Sequence, residues 1–140
     1  MTKLILYTDG AARGNPGPAA LGIVLTDPRG KEIEALGETI GRATNNEAEY
    51  RALLRGLERA RTHHATEIEI RTDSQLLAQQ LKGVYRVRAE NLKPLHIQGQ
   101  RALAQFARVA IRHIPREENR RADALANQAL DRAPVDPKGF

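Results

Sequence analysis

A chain of 140 residues with a formal charge of +5 is long enough for one domain with its own buried core. It has no cysteine, which excludes disulfides and thiolate-bound zinc. The charge comes from 17 arginines and 5 lysines against 17 acidic residues. That balance favours polyanionic partners, because a guanidinium donates two hydrogen bonds to one phosphate, although arginine spread over exposed helix faces gives the same count. The apolar run over residues 4–7 is too short for a signal peptide or a membrane span. A cytoplasmic protein with no membrane association is expected, and no long exposed apolar helix face calls for anything but a monomer.

Residues 3–8 are a short apolar run and read as a buried strand, followed by a Gly/Pro/Asn loop over 11–18. Residues 20–26 and 31–40 read as two further strands joined through the turn Asp27-Pro28-Arg29-Gly30. The latter alternates Ile33 and Leu36 with Glu32, Glu34 and Glu38, the pattern of a half-exposed antiparallel strand. Thr44-Asn45-Asn46-Glu47 is a capping box. It opens a helix that carries Tyr50, Leu53, Leu54 and Leu57 at helical spacing to about residue 63. A fourth strand is expected over 67–72, a short helix over 73–81, and a basic segment over 82–88. A helix over 91–107 tolerates Pro94 in its first turn. A fifth strand over 109–114 stops at Pro115, and a last helix covers 118–131. The domain is therefore expected over 1–131, with a loose tail over 132–140. Three consecutive strands followed by strand–helix alternation predict an α/β fold, a five-stranded mixed sheet with helices packed on it.

Four acidic residues stand out against this frame. Asp9 ends the first strand and Asp73 the fourth. Taken singly, each has an ordinary explanation, Asp9 as a turn residue before Gly10 and Asp73 as a helix N-cap. Glu49 is less easily explained. At about 100° per residue, Arg51, Arg55, Glu58 and Arg59 gather on one side of their helix, while Glu49 falls with Leu53 and Ala60 on the apolar side. A carboxylate turned toward a core needs a partner or a cation. Asp123 borders the apolar stripe Ala122, Leu125, Ala126, Ala129 and Leu130, and periodicity alone fits a solvated edge as well as a site wall. If the first and fourth strands are adjacent and parallel, Asp9 and Asp73 reach the sheet edge where open α/β sheets place ligands. Oxygen donors without cysteine suit Mg²⁺ or Mn²⁺ rather than zinc, and a pair of such ions can activate water at a phosphodiester. His113 closes the fifth strand ten residues before Asp123 and can face the same edge. His63, His64 and His96 lack metal-ligand spacing. Gly14-Asn15-Pro16-Gly17-Pro18 lacks the Gly-Lys-Ser/Thr ending of a phosphate-binding loop.

From Lys3 to about Leu130 these motifs resemble type 1 ribonuclease H. The resemblance rests on Thr8-Asp9-Gly10 with Gly14-Asn15-Pro16-Gly17, on Thr44-Asn45-Asn46-x-x-Glu49, and on Thr72-Asp73-Ser74-Gln75. It closes with His113-Ile114-Pro115-Arg116-Glu117-x-Asn119-x-x-Ala122-Asp123-x-Leu125-Ala126. It implies the ribonuclease H-like fold, with strand order 3-2-1-4-5, the second strand antiparallel, and helices on both faces. It also implies cleavage of the RNA strand of RNA–DNA hybrids to 5′-phosphate and 3′-hydroxyl ends. Asp9, Glu49, Asp73 and Asp123 would then hold two Mg²⁺ ions, with Mn²⁺ as a possible substitute, and His113 would be an auxiliary catalytic residue. Asn45, Gln75 and Glu49, with the Gly10 backbone, would read the 2′-hydroxyl, which only RNA carries. Asn15, Thr44 and Asn46 would contact the DNA strand. The family's long lysine-rich protrusion and its tryptophan are missing. The short segment with Tyr85, Arg86 and Arg88 would be a smaller DNA-strand platform. The compact form is closer to the archaeal and plant-type branch, some of whose members also cut double-stranded RNA, which makes that duplex a second expected substrate. Two other readings stay open. A resolvase-like DNA nuclease is disfavoured by Asn45 and Gln75, and a non-catalytic hybrid- or dsRNA-binding module would be marked by loss of an acidic position, none of which is lost.

Overall fold

The protein is described by a computed structural model over residues 2–133. Five strands, β1 (Lys3–Ala12), β2 (Gly17–Thr26), β3 (Glu32–Ala43), β4 (Glu67–Thr72) and β5 (Arg108–His113), form one sheet in the order β3-β2-β1-β4-β5. β2 is antiparallel to β1 and β3, whereas β4 is parallel to β1 and β5. Among the described residues, four α-helices accompany the sheet: α1 (Asn45–Thr62), α2 (Gln75–Leu81), α3 (Lys93–Leu103) and α4 (Arg120–Arg132). The predicted topology is therefore present.

Alternation along the strands divides the side chains between two layers. Leu6, Ile23, Ile68 and Ile70 point to one face and make the larger core with Leu53 and Leu57 of α1, Leu77 and Leu81 of α2, and Leu103 of α3. Ala20 on the opposite face packs with Ala126 and Leu130 of α4. Small residues set how closely α4 lies: a Cβ at Gly22 would overlap the backbone of Ala122, and one at Gly37 that of Leu125. The α4 N-terminus is thus pressed onto the middle of the sheet.

Several boundaries differ from expectation. β1 runs to Ala12 and β2 begins at Gly17, so the expected loop over 11–18 shrinks to Arg13–Pro16; Arg13 N–H donates to Pro18 O at 2.8 Å. α3 is shorter than predicted at both ends, and a 3₁₀ turn over Arg116–Glu118 precedes α4. α4 still includes Arg132, the first residue of the expected tail, and residues 134–140 of that tail lie outside the described residues. Among the described residues, no helix is long and apolar enough to cross a membrane.

Candidate active site

β1 and β4 pair in parallel only as far as Thr8 and Thr72. Beyond that point β1 continues against β2 to Ala12, while the chain leaving β4 turns into α2. The two strands part, and a cleft of about 450 Å³ opens there, lined by Asp9, Asn45, Glu49, Asp73, Arg116 and Asp123 among others. Asp9 is not the last residue of its strand, as the sequence implied. It sits inside β1 opposite Gly22, because the antiparallel hairpin carries β1 past the end of the parallel ladder.

Asp73 is not the α2 cap. Ser74 has that role and accepts a hydrogen bond from Leu77 N–H at 3.1 Å, which leaves the Asp73 side chain to the cleft. Glu49 arrives from the second turn of α1. The predicted capping box holds the start of that helix, with Thr44 Oγ1 accepting from Glu47 N–H at 3.1 Å and Glu47 Oε1 from Thr44 N–H at 2.8 Å. A Cβ at Gly10 would collide with the backbone of Ala48 and Glu49, so only glycine lets α1 approach β1 this closely. That approach allows Gly10 N–H to donate to Glu49 Oε1 at 2.7 Å. Asp123 comes from the first turn of α4, where Asn127 Nδ2 donates to its Oδ1 at 3.2 Å and to its carbonyl at 3.0 Å.

Asp9, Glu49 and Asp73 each offer an oxygen within 4.8 Å of the others. Asp123 lies outside that tight triad but lines the same cleft. Burial, followed by the charge of Glu49 and the hydrogen bond to Asp123, pushes the Asp9 carboxyl up to about 9. Burial and the charge of Asp73 push Glu49 up to about 8, against the opposing pull of the Gly10 N–H. A buried, crowded set of carboxyl groups is chemically suited to a hard divalent ion, which would remove their repulsion. The all-oxygen donor set suits such an ion.

The other predicted residues surround the cleft unevenly. Asn45 lines it, accepts from Ala12 N–H at 3.1 Å, and donates its own N–H to Asn15 Oδ1 at 3.0 Å, tying the β1–β2 turn to the start of α1. Thr44 is committed to its cap, and Asn46 is exposed beside it. Gln75 lies outside the cleft wall and donates to Tyr85 Oη at 3.3 Å. Tyr85 and Arg86 line a second groove of about 490 Å³ with Lys93, His96 and Ile97, and Arg88 is exposed nearby. His113 stands beside the cleft rather than in it, its Nε2 donating to the carbonyl of Asp73 at 3.2 Å. Three residues of the cleft region were not singled out as site residues from the sequence: Arg116, the one cationic side chain on the wall among the described residues, the buried Asn119, and Asn127. Arg116 and Asn119 stand within the His113-to-Ala126 motif, which was the available signal; only the fold shows which way they face.

A mixed sheet whose parallel centre opens on four carboxylates defines a class of nucleic-acid-processing domains, and the family described as reverse transcriptase-like matches residues 7–129. The chain belongs to that family and, within it, to ribonuclease H of type 1. It is 49% identical to ribonuclease HI of Halobacterium salinarum over 127 residues, 91% of this chain and 64% of the relative. The crystal structure of RNase H1 from that organism superposes with a TM-score of 0.92 at 47% identity, covering 94% of this chain and 99% of the other. The N-terminal RNase H domain of Rv2228c from Mycobacterium tuberculosis gives 0.90 at 40% identity, covering 94% and 95%. LC11-RNase H1, solved with an RNA/DNA hybrid, gives 0.87 at 42% identity, covering 91% and 96%. The chain spans 64% of the length of the Halobacterium relative and 36% of the whole mycobacterial protein.

Proposed function

We propose that this chain hydrolyses the RNA strand of RNA–DNA hybrids, leaving 5′-phosphate and 3′-hydroxyl ends, with Asp9, Glu49, Asp73 and Asp123 holding two Mg²⁺ ions or, in their place, Mn²⁺. The observation that carries it is the convergence of Asp9, Glu49 and Asp73 within 4.8 Å in a cleft that also exposes Asn45. When bound, the cations would supply an activated water and a Lewis acid for the leaving 3′-oxygen.

The chain's own residues supply the rest. The Gly10 N–H fixes the rotamer of Glu49 and keeps one of its oxygens engaged. Asn45 on the cleft wall and Gln75, two residues after Asp73, carry amide groups that can both donate to and accept from a ribose 2′-hydroxyl. Asn15, Thr44 and Asn46 gather at the N-terminus of α1, where the helix dipole favours a DNA phosphate. Arg116 offsets the negative wall against the approaching backbone. His113 donates through Nε2 to the Asp73 carbonyl, so its Nδ1 is free to accept a proton at the cleft mouth. Tyr85, with Arg86 and Arg88, offers a face for the DNA strand. Reading by ribose and backbone makes cleavage insensitive to base sequence and extends it to double-stranded RNA.

The test is to incubate pure protein with end-labelled hybrid, double-stranded RNA and DNA duplexes in Mg²⁺, Mn²⁺ or EDTA. Metal-dependent cutting of the hybrid RNA strand is expected. Cleavage of DNA alone, or undiminished cleavage in EDTA, contradicts the proposal, and binding without cleavage marks a non-catalytic module.

A further inference from the structure

Asn119 is 1% exposed and occupies the N-cap position of α4. Asparagine there normally turns its side chain onto the first N–H groups of its own helix. Asn119 makes no such bond. Its Nδ2 points into the sheet instead, donating to Thr8 O at 2.8 Å and reaching Asp73 Oδ2 at 3.4 Å. Among the described residues, its Oδ1 is buried without a partner. The side chain thus gives up both a cap and a satisfied acceptor to keep two donor hydrogens where they are, which is costly if anchoring a helix is the only purpose.

The position of those hydrogens shows what they do. Thr8 and Thr72 are the last pair of the parallel ladder, and the next residue on each strand is an acid of the cleft, Asp9 and Asp73. One amide therefore bridges β1 and β4 where their own hydrogen bonding stops. Four residues later the same helix delivers Asp123. We propose that Asn119 is a positioning residue for the acidic cluster: its Nδ2 clamps the Thr8 carbonyl and the Asp73 carboxylate together, fixing the spacing of Asp73 from Asp9 and seating the helix that carries Asp123. No other side chain of this size serves: leucine supplies no donor, aspartate adds a fifth negative charge, and serine is too short to reach both acceptors. The inference rests on the reading of the four acids as a divalent-cation site.

The test uses Asn119→Ala, with Asn119→Ser as a second variant in case the first folds poorly. Cation binding is read directly, by calorimetric titration and by the rise in melting temperature with Mg²⁺, alongside kcat and KM on the hybrid. Residues that orient metal ligands typically contribute about 10–100-fold to metal affinity. The half-saturating Mg²⁺ concentration is expected to rise by that factor and kcat at fixed Mg²⁺ to fall comparably, with KM for the hybrid within about twofold. Because Asn119 acts in part through Asp73, its substitution in an Asp73→Asn background should change Mg²⁺ affinity by a smaller factor than in the wild type, a non-additivity expected of residues in one network. A lowered melting temperature with wild-type Mg²⁺ affinity and kcat in either variant overturns the positioning role, as does full additivity with Asp73→Asn. If the wild-type protein itself shows no response to Mg²⁺, the metal reading falls and the role of Asn119 with it; a responsive wild type with an indifferent Asn119 removes only the latter.

Discussion

Glu69 and Asp73 stand four residues apart on the same stretch of chain, the first buried and the second half-buried at the cleft. Their surroundings are opposite. Glu69, 8% exposed, has Arg71 Nε at 2.6 Å and Lys3 Nζ and Arg112 Nη1 each at 3.6 Å. Burial alone would raise its pKa, but Arg71, with Lys3 and Arg112 adding to it, outweighs burial and holds it below the usual range. Arg71 is itself fixed by donating to Tyr7 Oη at 2.7 Å and lying over that ring. Past the end of the strand, Asp73 joins three more acids with only Arg116 on the same wall among the described residues. A chain with 22 basic residues has supplied three cations to one acid and left four others to repel one another. Glu69 is neutralised from within for structure; the cleft is left to be neutralised from solution.

The largest expected effect separates the two sites by chemistry. Asp9→Asn removes charge stabilisation worth about 4 kcal/mol in the transition state, so turnover falls by about a thousandfold. Hybrid affinity measured in EDTA stays near wild type, because arginines carry the binding; substantial residual turnover breaks the comparison. Next is the pH dependence of the metal-free fold. Asp9 and Glu49, raised to about 9 and about 8, bind more protons folded than unfolded. Their contribution to stability is complete below the unfolded carboxylate range, declines as pH rises above that range, and is gone once pH has passed through 8 and 9. Glu69, depressed below 4.5, behaves oppositely: its contribution is present at neutral pH and lost as pH falls through its folded value. Melts in EDTA should therefore weaken at both ends, with Mg²⁺ restoring only the alkaline side. A smaller change, Glu69→Gln, costs about 1–2 kcal/mol of stability after solvent screening of its exposed partners, and activity stays within about twofold. His113→Ala, outside the tight cluster, slows turnover on the order of tenfold to a hundredfold without silencing it. A full wild-type rate would reduce its hydrogen bond to Asp73 to a structural contact.

Much of this was legible in the sequence because it is local. The capping box at Thr44 and Glu47, the apolar placement of Glu49 and the 67–72 strand follow from spacings of a few residues. What was not legible depends on contacts between distant segments. Asp9 read as a strand end because the Gly/Pro/Asn composition after Gly10 resembles a loop; the pairing with β2 that extends the strand is not a local property. Asp73 read as the α2 cap because Asp and Ser cap equally well, and only the sheet decides which one turns away. Asn119 and Arg116 were visible as letters in a motif, yet the inward turn of one and the cleft-facing position of the other come from how α4 lies on Gly22 and Gly37.

Calorimetric titration of Mg²⁺ into the protein near pH 7, repeated in buffers of different ionisation enthalpy, tests the central claim most directly. With Asp9 and Glu49 raised to about 9 and about 8 in the metal-free state, cation binding must displace protons. The account predicts saturable binding with release of between one and two protons per chain, reduced in Asp9→Asn and in Glu49→Gln. Binding without proton release, or no binding at millimolar Mg²⁺, would contradict it.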